Sequence, residues 1–113
     1  MMKLFYALTL LLFTACTTTQ NLYSWYDYAD KTYKYEKKQT PESLEQLLAE
    51  YDKIIRKQRG IRLMVPPGIC AEKGYLLVMA GKKEEGIAFF KKEIELYPES
   101  AVYIERIIKQ VEK

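Results

Sequence analysis

Residues 67–98, PGICAEKGYLLVMAGKKEEGIAFFKKEIELYP, decide the fold. Gly81 divides them. Before it, Ile69, Cys70, Ala71, Tyr75, Leu76, Leu77, Val78 and Met79 cover most of a helical circumference, and only Glu72 and Lys73 are charged between Ile69 and Met79. A helix that is apolar nearly all round is packed between others. The run is much shorter than the roughly 20 residues needed to cross a bilayer, so its expected place is the centre of a bundle. After Gly81, Ile87, Phe90, Ile94 and Tyr97 form one apolar face and Phe89 with Leu96 another, which implies two neighbours. Pro66-Pro67 opens the first helix, Gly81 stops it, and Pro98 interrupts the second. Gly74 lets a neighbouring helix approach closely.

Helical periodicity continues on both sides. Toward the C-terminus, Ser100 can cap a last helix whose buried stripe is Ile104, Ile107, Ile108 and Val111. Toward the N-terminus, Thr40 reads as an N-cap and Pro41 as the first position of a helix carrying Leu44, Leu47, Leu48, Tyr51, Ile54 and Ile55, with Gly60 as its stop. Leu22, Trp25, Tyr26, Ala29 and Tyr33 recur with helical spacing, predicting a first helix over about 22–38 with that face inward. The expected architecture is all-α, with about five helices over residues 22–113. The short connections make consecutive helices antiparallel neighbours.

The first fifteen residues read differently. Lys3 is followed by an apolar run from Leu4 to Phe13, then by the small residues Thr14-Ala15 and by Cys16, the layout of a secretory signal. Residues 1–15 are therefore expected to be a signal peptide and 16–21 a polar tether. The run is too short for a membrane anchor. The segment Leu12-Phe13-Thr14-Ala15-Cys16 resembles a bacterial lipobox, with Phe13 where an aliphatic residue is usual. The resemblance implies lipid attachment at Cys16, and Thr17, standing where an inner-membrane retention signal has aspartate, implies the outer membrane. Several acyl chains on one cysteine hold a protein firmly, because each buried methylene contributes about 0.8 kcal/mol.

The chain has 113 residues, 18 basic and 15 acidic, for a net charge of +3. The charges are interspersed along the helices, so nucleic acid is not an expected partner. Of the 2 cysteines, Cys16 is assigned to lipid, which leaves Cys70 as a small buried hydrophobe. With no histidine and no clustered cysteines, no metal site or cofactor is expected. Val65-Pro66-Pro67-Gly68 cannot cradle phosphate, because prolines lack the amide hydrogens such a nest uses.

Two resemblances extend this reading. Counted back from Pro98, Gly74, Leu77, Gly81, Gly86 and Phe90 fall on signature positions of a tetratricopeptide unit, although Lys73 stands where leucine is usual and Glu93 where a small alanine packs. The chain also resembles an uncharacterised family of small bacterial lipoproteins often encoded beside lipoproteins similar to the curli secretion channel. The residues that carry this likeness are Tyr23-Ser24-Trp25 with Tyr28 and Tyr33, Val65-Pro66-Pro67-Gly68, Ala71-Glu72, Gly74-Tyr75-Leu76, Gly81, Phe90, Glu93 and Tyr97-Pro98-Glu99-Ser100. Tyr26 stands in place of an expected glycine and Gly86 in place of an alanine. The likeness implies an envelope lipoprotein that works beside other lipoproteins, and it implies no reaction.

Three groups of residues are candidates for function. Tyrosine is abundant, with 10 in the chain, and Tyr28 and Tyr35 are expected on a stripe opposite the core face of the first helix, where exposed rings would anchor a protein partner. The plain alternative is that this helix is clasped on two sides. Lys53, Arg56, Lys57, Arg59 and Arg62 form the densest basic cluster, which is either a solvated face or a weak site for an anionic polymer or membrane surface. Glu72 and Glu93 are the carboxylates expected to be poorly hydrated, and such a pair can do acid/base work. The simpler expectation is that Glu72 favours its helix dipole while Glu93 pairs with Lys73 or a backbone amide. No nucleophile with an adjacent base is present, so catalysis is not expected. The preferred reading is a protein-interaction adaptor.

Overall fold

Two helices meet backbone to backbone at Gly74 and Gly86. A Cβ on Gly74 would sit 2.7 Å from the Gly86 carbonyl oxygen, and one on Gly86 would sit 2.6 Å from that of Gly74. The two backbones can meet only because neither residue has a side chain. The computed structural model describes residues 21–113; the expected leader, Cys16 and the tether before Asn21 lie outside the described residues. Its helices are α1 (Tyr28–Lys37), α2 (Pro41–Arg56), α3 (Ile69–Met79), α4 (Lys83–Leu96) and α5 (Ala101–Glu112), with a 3-10 turn at Pro98–Ser100. The described residues contain no strand, and the expected all-α class with five helices holds.

Each junction has a local cause. At Thr40 a capping box forms: the Thr40 hydroxyl accepts the Ser43 amide at 3.1 Å, and the Ser43 hydroxyl accepts the Thr40 amide at 3.0 Å. Gly81 ends α3 at φ +84° in the left-handed region, and Pro98 ends α4. The turn at Ala80–Lys82 lies between Gly74 and Gly86, so α3 and α4 run antiparallel. Likewise the Asp27 amide meets Glu50 and Tyr28 meets Tyr51 across the turn at 38–40, which makes α1 and α2 a second antiparallel hairpin.

Two clusters form the core. Leu47, Tyr51, Ile54, Val65, Ile69 and Cys70 bind α2 to α3, while Phe90, Ile104 and Ile108 bind α4 to α5. Fully burying one such side chain contributes about 1.5–3 kcal/mol. Lys73 is buried at the α2–α3 contact, where its ammonium pairs with Asp52 and lies 4.1 Å from the centre of the Phe89 ring. At a position where tetratricopeptide units usually carry leucine, Lys73 packs through its alkyl stem while its head group meets Asp52.

Five expectations are corrected. The first helix begins at Tyr28, not near residue 22, because Tyr26 adopts φ +48° and breaks the helical path. Its inward face is therefore inverted: Leu22, Trp25, Tyr26 and Tyr33 are exposed, Tyr33 to 61%, while Tyr28 and Tyr35 pack against the core. The second helix ends at Arg56 and not at Gly60, which serves a different purpose described below. Finally, α3 is not enclosed all round, since Tyr75 and Met79 are exposed on one side. Ser100 also makes no side-chain cap to α5; its hydroxyl donates to the Tyr97 carbonyl at 2.7 Å.

Candidate functional site

The open side of α3 faces a groove of about 570 Å³ bounded by α1, α3 and α5, with α2 and α4 beneath it. Its polar centre is Glu72, in the first turn of α3. The Tyr28 and Tyr51 hydroxyls both donate to Glu72 Oε2, at 2.7 and 2.9 Å. The two rings pack with their centres 6.0 Å apart, so aromatic contact and shared carboxylate hold three helices in one arrangement. Tyr35 and Glu36 extend this wall along α1, Tyr75 projects from α3, and Tyr103 rises from α5. Leu47, Phe90 and Ile104 form the apolar floor. Two carboxylates and no basic residue line the groove, which gives it a negative character.

Burial, followed by the hydrogen bond and charge of Glu72, pushes the Tyr28 phenol from its ordinary value near 10.0 up to about 12. Burial and the same carboxylate raise Tyr51 further, and burial, followed by its hydrogen-bonding contact with the Tyr23 hydroxyl, raises Tyr97 to about 12. A phenol whose pKa is raised on folding binds its proton more tightly in the native state. Its contribution to stability is complete below the unfolded value and is lost as pH rises through the folded one. Alkaline titration followed by phenolate absorbance should therefore show a class of tyrosines that ionise late. The melting temperature should fall between about pH 10 and 12. Glu72→Gln should move part of the late class to lower pH, and an unshifted titration would mean that Glu72 does not set it.

Glu93 has a different task. It is only 3% exposed, and its Oε1 accepts the amides of Gly68 at 2.8 Å and Ala71 at 3.4 Å. Gly68, at φ +94°, begins α3 and has no side chain to cap it, so a carboxylate from α4 satisfies the helix terminus instead. Burial raises the Glu93 pKa against the lowering effect of those two amides. Glu50 does the equivalent at α1, accepting the Asp27 amide at 2.9 Å from α2. In each hairpin the second helix thus supplies a buried carboxylate to the start of the first. The amide partner expected for Glu93 is found, whereas Lys73 pairs with Asp52 instead.

Tyr28 and Tyr35 are not a free stripe. They are half-buried walls of the groove, and the outermost rings there belong to Tyr75 and Tyr103, which helical periodicity alone did not single out as a site. Lys53, Arg56, Lys57, Arg59 and Arg62 are exposed, and none pairs with a carboxylate among the described residues. Lys53 lies 4.5 Å from the centre of the Tyr26 ring. Cys70 is a buried free thiol, and burial pushes its pKa up to about 11, which suppresses the reactive thiolate. Among the described residues, no group of three or more potential ligands is placed to hold a metal ion, and no helix is long and apolar enough to cross a membrane. Searches among curated proteins and among solved structures gave no match. Residues 22–107, which contain both hairpins and nearly all of the groove-facing part of α5, match the family described as Domain of unknown function (DUF4810), and the chain belongs to that family.

Proposed function

We propose that this chain is an outer-membrane lipoprotein anchored through Cys16, whose tetratricopeptide-like domain is an adaptor or accessory subunit in an envelope secretion or surface-assembly system. The groove between α1, α3 and α5 is the observation that carries the adaptor reading: it is large enough for side chains of an extended segment, rimmed by tyrosines and centred on a carboxylate. Tyrosines contribute broad contact area with little rotamer entropy to lose. The two hairpins, each capped by a glutamate from its second helix, support the repeat-like part of the reading. The leader and the Leu12–Cys16 segment support export and acylation. The resemblance to lipoproteins encoded beside curli-secretion-channel-like proteins supplies the company in which a partner is sought.

The test uses the exposed rim, because Tyr28 and Tyr35 also hold the core. Tyr75→Ala with Tyr103→Ala should leave the helical signal and melting temperature nearly unchanged. Truncating one aromatic hot spot costs about 2 kcal/mol, roughly thirtyfold, so the pair should weaken partner capture by at least that factor and by several hundredfold if the two losses add. Crosslinking and mass spectrometry of the membrane-fractionated chain, beside Cys16→Ala, should enrich other envelope lipoproteins in a manner that requires both Cys16 and the rim. Enrichment that ignores the rim pair would remove the groove as the binding surface.

A further inference from the structure

The end of the molecule where the described chain begins carries an unusual combination of groups. Asn21 to Ser24 is laced onto the loop after α2. The Asn21 and Leu22 carbonyls accept the Ile61 and Arg62 amides at 3.1 and 3.2 Å. Ser24 exchanges bonds with the Gln58 side chain at 3.0 and 2.8 Å, and its hydroxyl accepts the Arg59 amide at 3.0 Å. Gly60 makes this possible, since a Cβ there would lie 2.6 Å from Tyr23 Cα. The chain ahead of Asn21 therefore leaves from a fixed point beside the 57–64 loop.

That loop reads Lys57-Gln58-Arg59-Gly60-Ile61-Arg62-Leu63-Met64, with the cations Lys57, Arg59 and Arg62 set close to the apolar side chains Ile61, Leu63 and Met64. Ile61, Leu63 and Met64 are exposed, Leu63 to 72%, and Leu22 and Trp25 are exposed beside them on the laced segment. The turn is rigid, with the Leu63 amide bonded to the Gly60 carbonyl at 3.0 Å and Leu63 held at φ +51°. Nothing in the core requires these side chains, and a surface that places large exposed apolar groups among exposed cations matches one environment well. At a bilayer boundary, apolar tips enter the acyl layer, tryptophan sits at headgroup level, and lysine or arginine meets anionic lipid.

We propose that this end, formed by residues 21–26 and 57–64, is a docking surface for an anionic lipid bilayer. The distance to the expected anchor fits, because the five peptide steps from Cys16 to Asn21 reach at most roughly 18 Å. The domain would then lie against the membrane on this end rather than swing freely on its tether. The proposal shares with the lipoprotein reading the acylation of Cys16, but the docking itself is a property of the folded end and is tested separately.

Trp25 is the chain's single tryptophan and lies within the proposed surface, so it reports directly. The full chain, expressed with its leader, is mixed with phosphatidylcholine vesicles with or without phosphatidylglycerol, some carrying brominated acyl chains. Flotation reads attachment, and Trp25 emission reads docking. The expected result is a shift of Trp25 emission to shorter wavelength, with quenching by the brominated chains, strongest with phosphatidylglycerol and reduced by salt. Leu63→Asp with Met64→Asp should abolish the quenching while the helical signal remains. Arg59→Glu with Arg62→Glu should weaken docking about fivefold or more for each cation lost.

A chain that floats while Trp25 stays wet and unquenched would overturn docking and leave the lipoprotein reading standing. Flotation only with phosphatidylglycerol, accompanied by quenching, would support docking and remove acylation as the anchor. A chain that neither floats nor is quenched would overturn both. Shielding of Trp25 by an added envelope protein, without quenching by lipid, would make this end a protein interface and would also overturn the proposal.

Discussion

Gly74→Ala is expected to destabilise the domain by about 2 kcal/mol, although alanine is the better helix former by about 1 kcal/mol. The new methyl would stand 2.7 Å from the Gly86 carbonyl oxygen and 3.1 Å from the Phe90 ring. No rotamer can relieve a clash between a Cβ and a backbone carbonyl, so α3 and α4 must separate. Separation loosens Phe90, which ties the hairpin to α5 through Ile104 and Ile108. For a domain of this size the loss corresponds to a fall in melting temperature of about 10 °C, readable by circular dichroism. An unchanged or raised melting temperature would show that the helices do not meet at Gly74.

The second large effect is expected at Glu93. Glu93→Ala installs the residue usual in tetratricopeptide units, yet it should cost about 2–3 kcal/mol. It strands the Gly68 and Ala71 amides at a helix start with no side chain of its own to replace the cap. Glu93→Gln keeps a carbonyl oxygen for those amides and sheds the buried charge, so it should stay within about 1 kcal/mol of the parent. The pH dependence separates the two roles. Because the folded carboxyl has a raised pKa, its contribution is complete below the ordinary carboxyl range and is lost as pH rises through the raised value. Chemical denaturation across that range should show a downward slope in the parent that is shallower in Glu93→Gln. Equal slopes would mean that Glu93 does not titrate differently on folding.

These two positions also show what could be read from the sequence. Helices α2 to α5 were legible because apolar stripes recur with the right period and proline or glycine marks their ends. The close approach at Gly74 was legible because glycine inside an apolar helix has few other uses. The face of α1 was not. Its aromatic residues fit two wheels, and the wheel that included Leu22, Trp25 and Tyr26 failed because Tyr26 turns the chain at φ +48° before the helix starts. The expected family glycine at that position was the available signal, since a left-handed turn favours glycine.

The groove was half visible. Tyr28, Tyr35 and Glu72 stood out by composition, but their meeting depends on contacts between residues far apart in the chain. Tyr28 and Glu72 are 44 residues apart. Tyr103 is not legible in the sequence for a related reason: it is not part of the stripe Ile104, Ile107, Ile108 and Val111, yet α5 is set so that this ring reaches the groove. The cap by Glu93 could have been suspected from the pairing of a side-chain-free helix start at Gly68 with a carboxylate at a packed position. Periodicity alone does not bring those two facts together.

The lacing of Asn21 to Ser24 over Gly60 also bears on the order in which the molecule assembles. Gly74 and Gly86 close a short loop around Gly81, whereas Ser24 must find Gln58 across 34 residues. Closing a loop costs more entropy as it lengthens, and the laced segment has few apolar contacts of its own to offset that cost. The α3–α4 hairpin is therefore expected to form early and the N-terminal lacing late, an order that pulsed hydrogen exchange during refolding would read. On this order Asn21 to Ser24 is the last part of the described chain to be fixed, and the end of the domain that carries Trp25 takes its final shape only after both hairpins have formed.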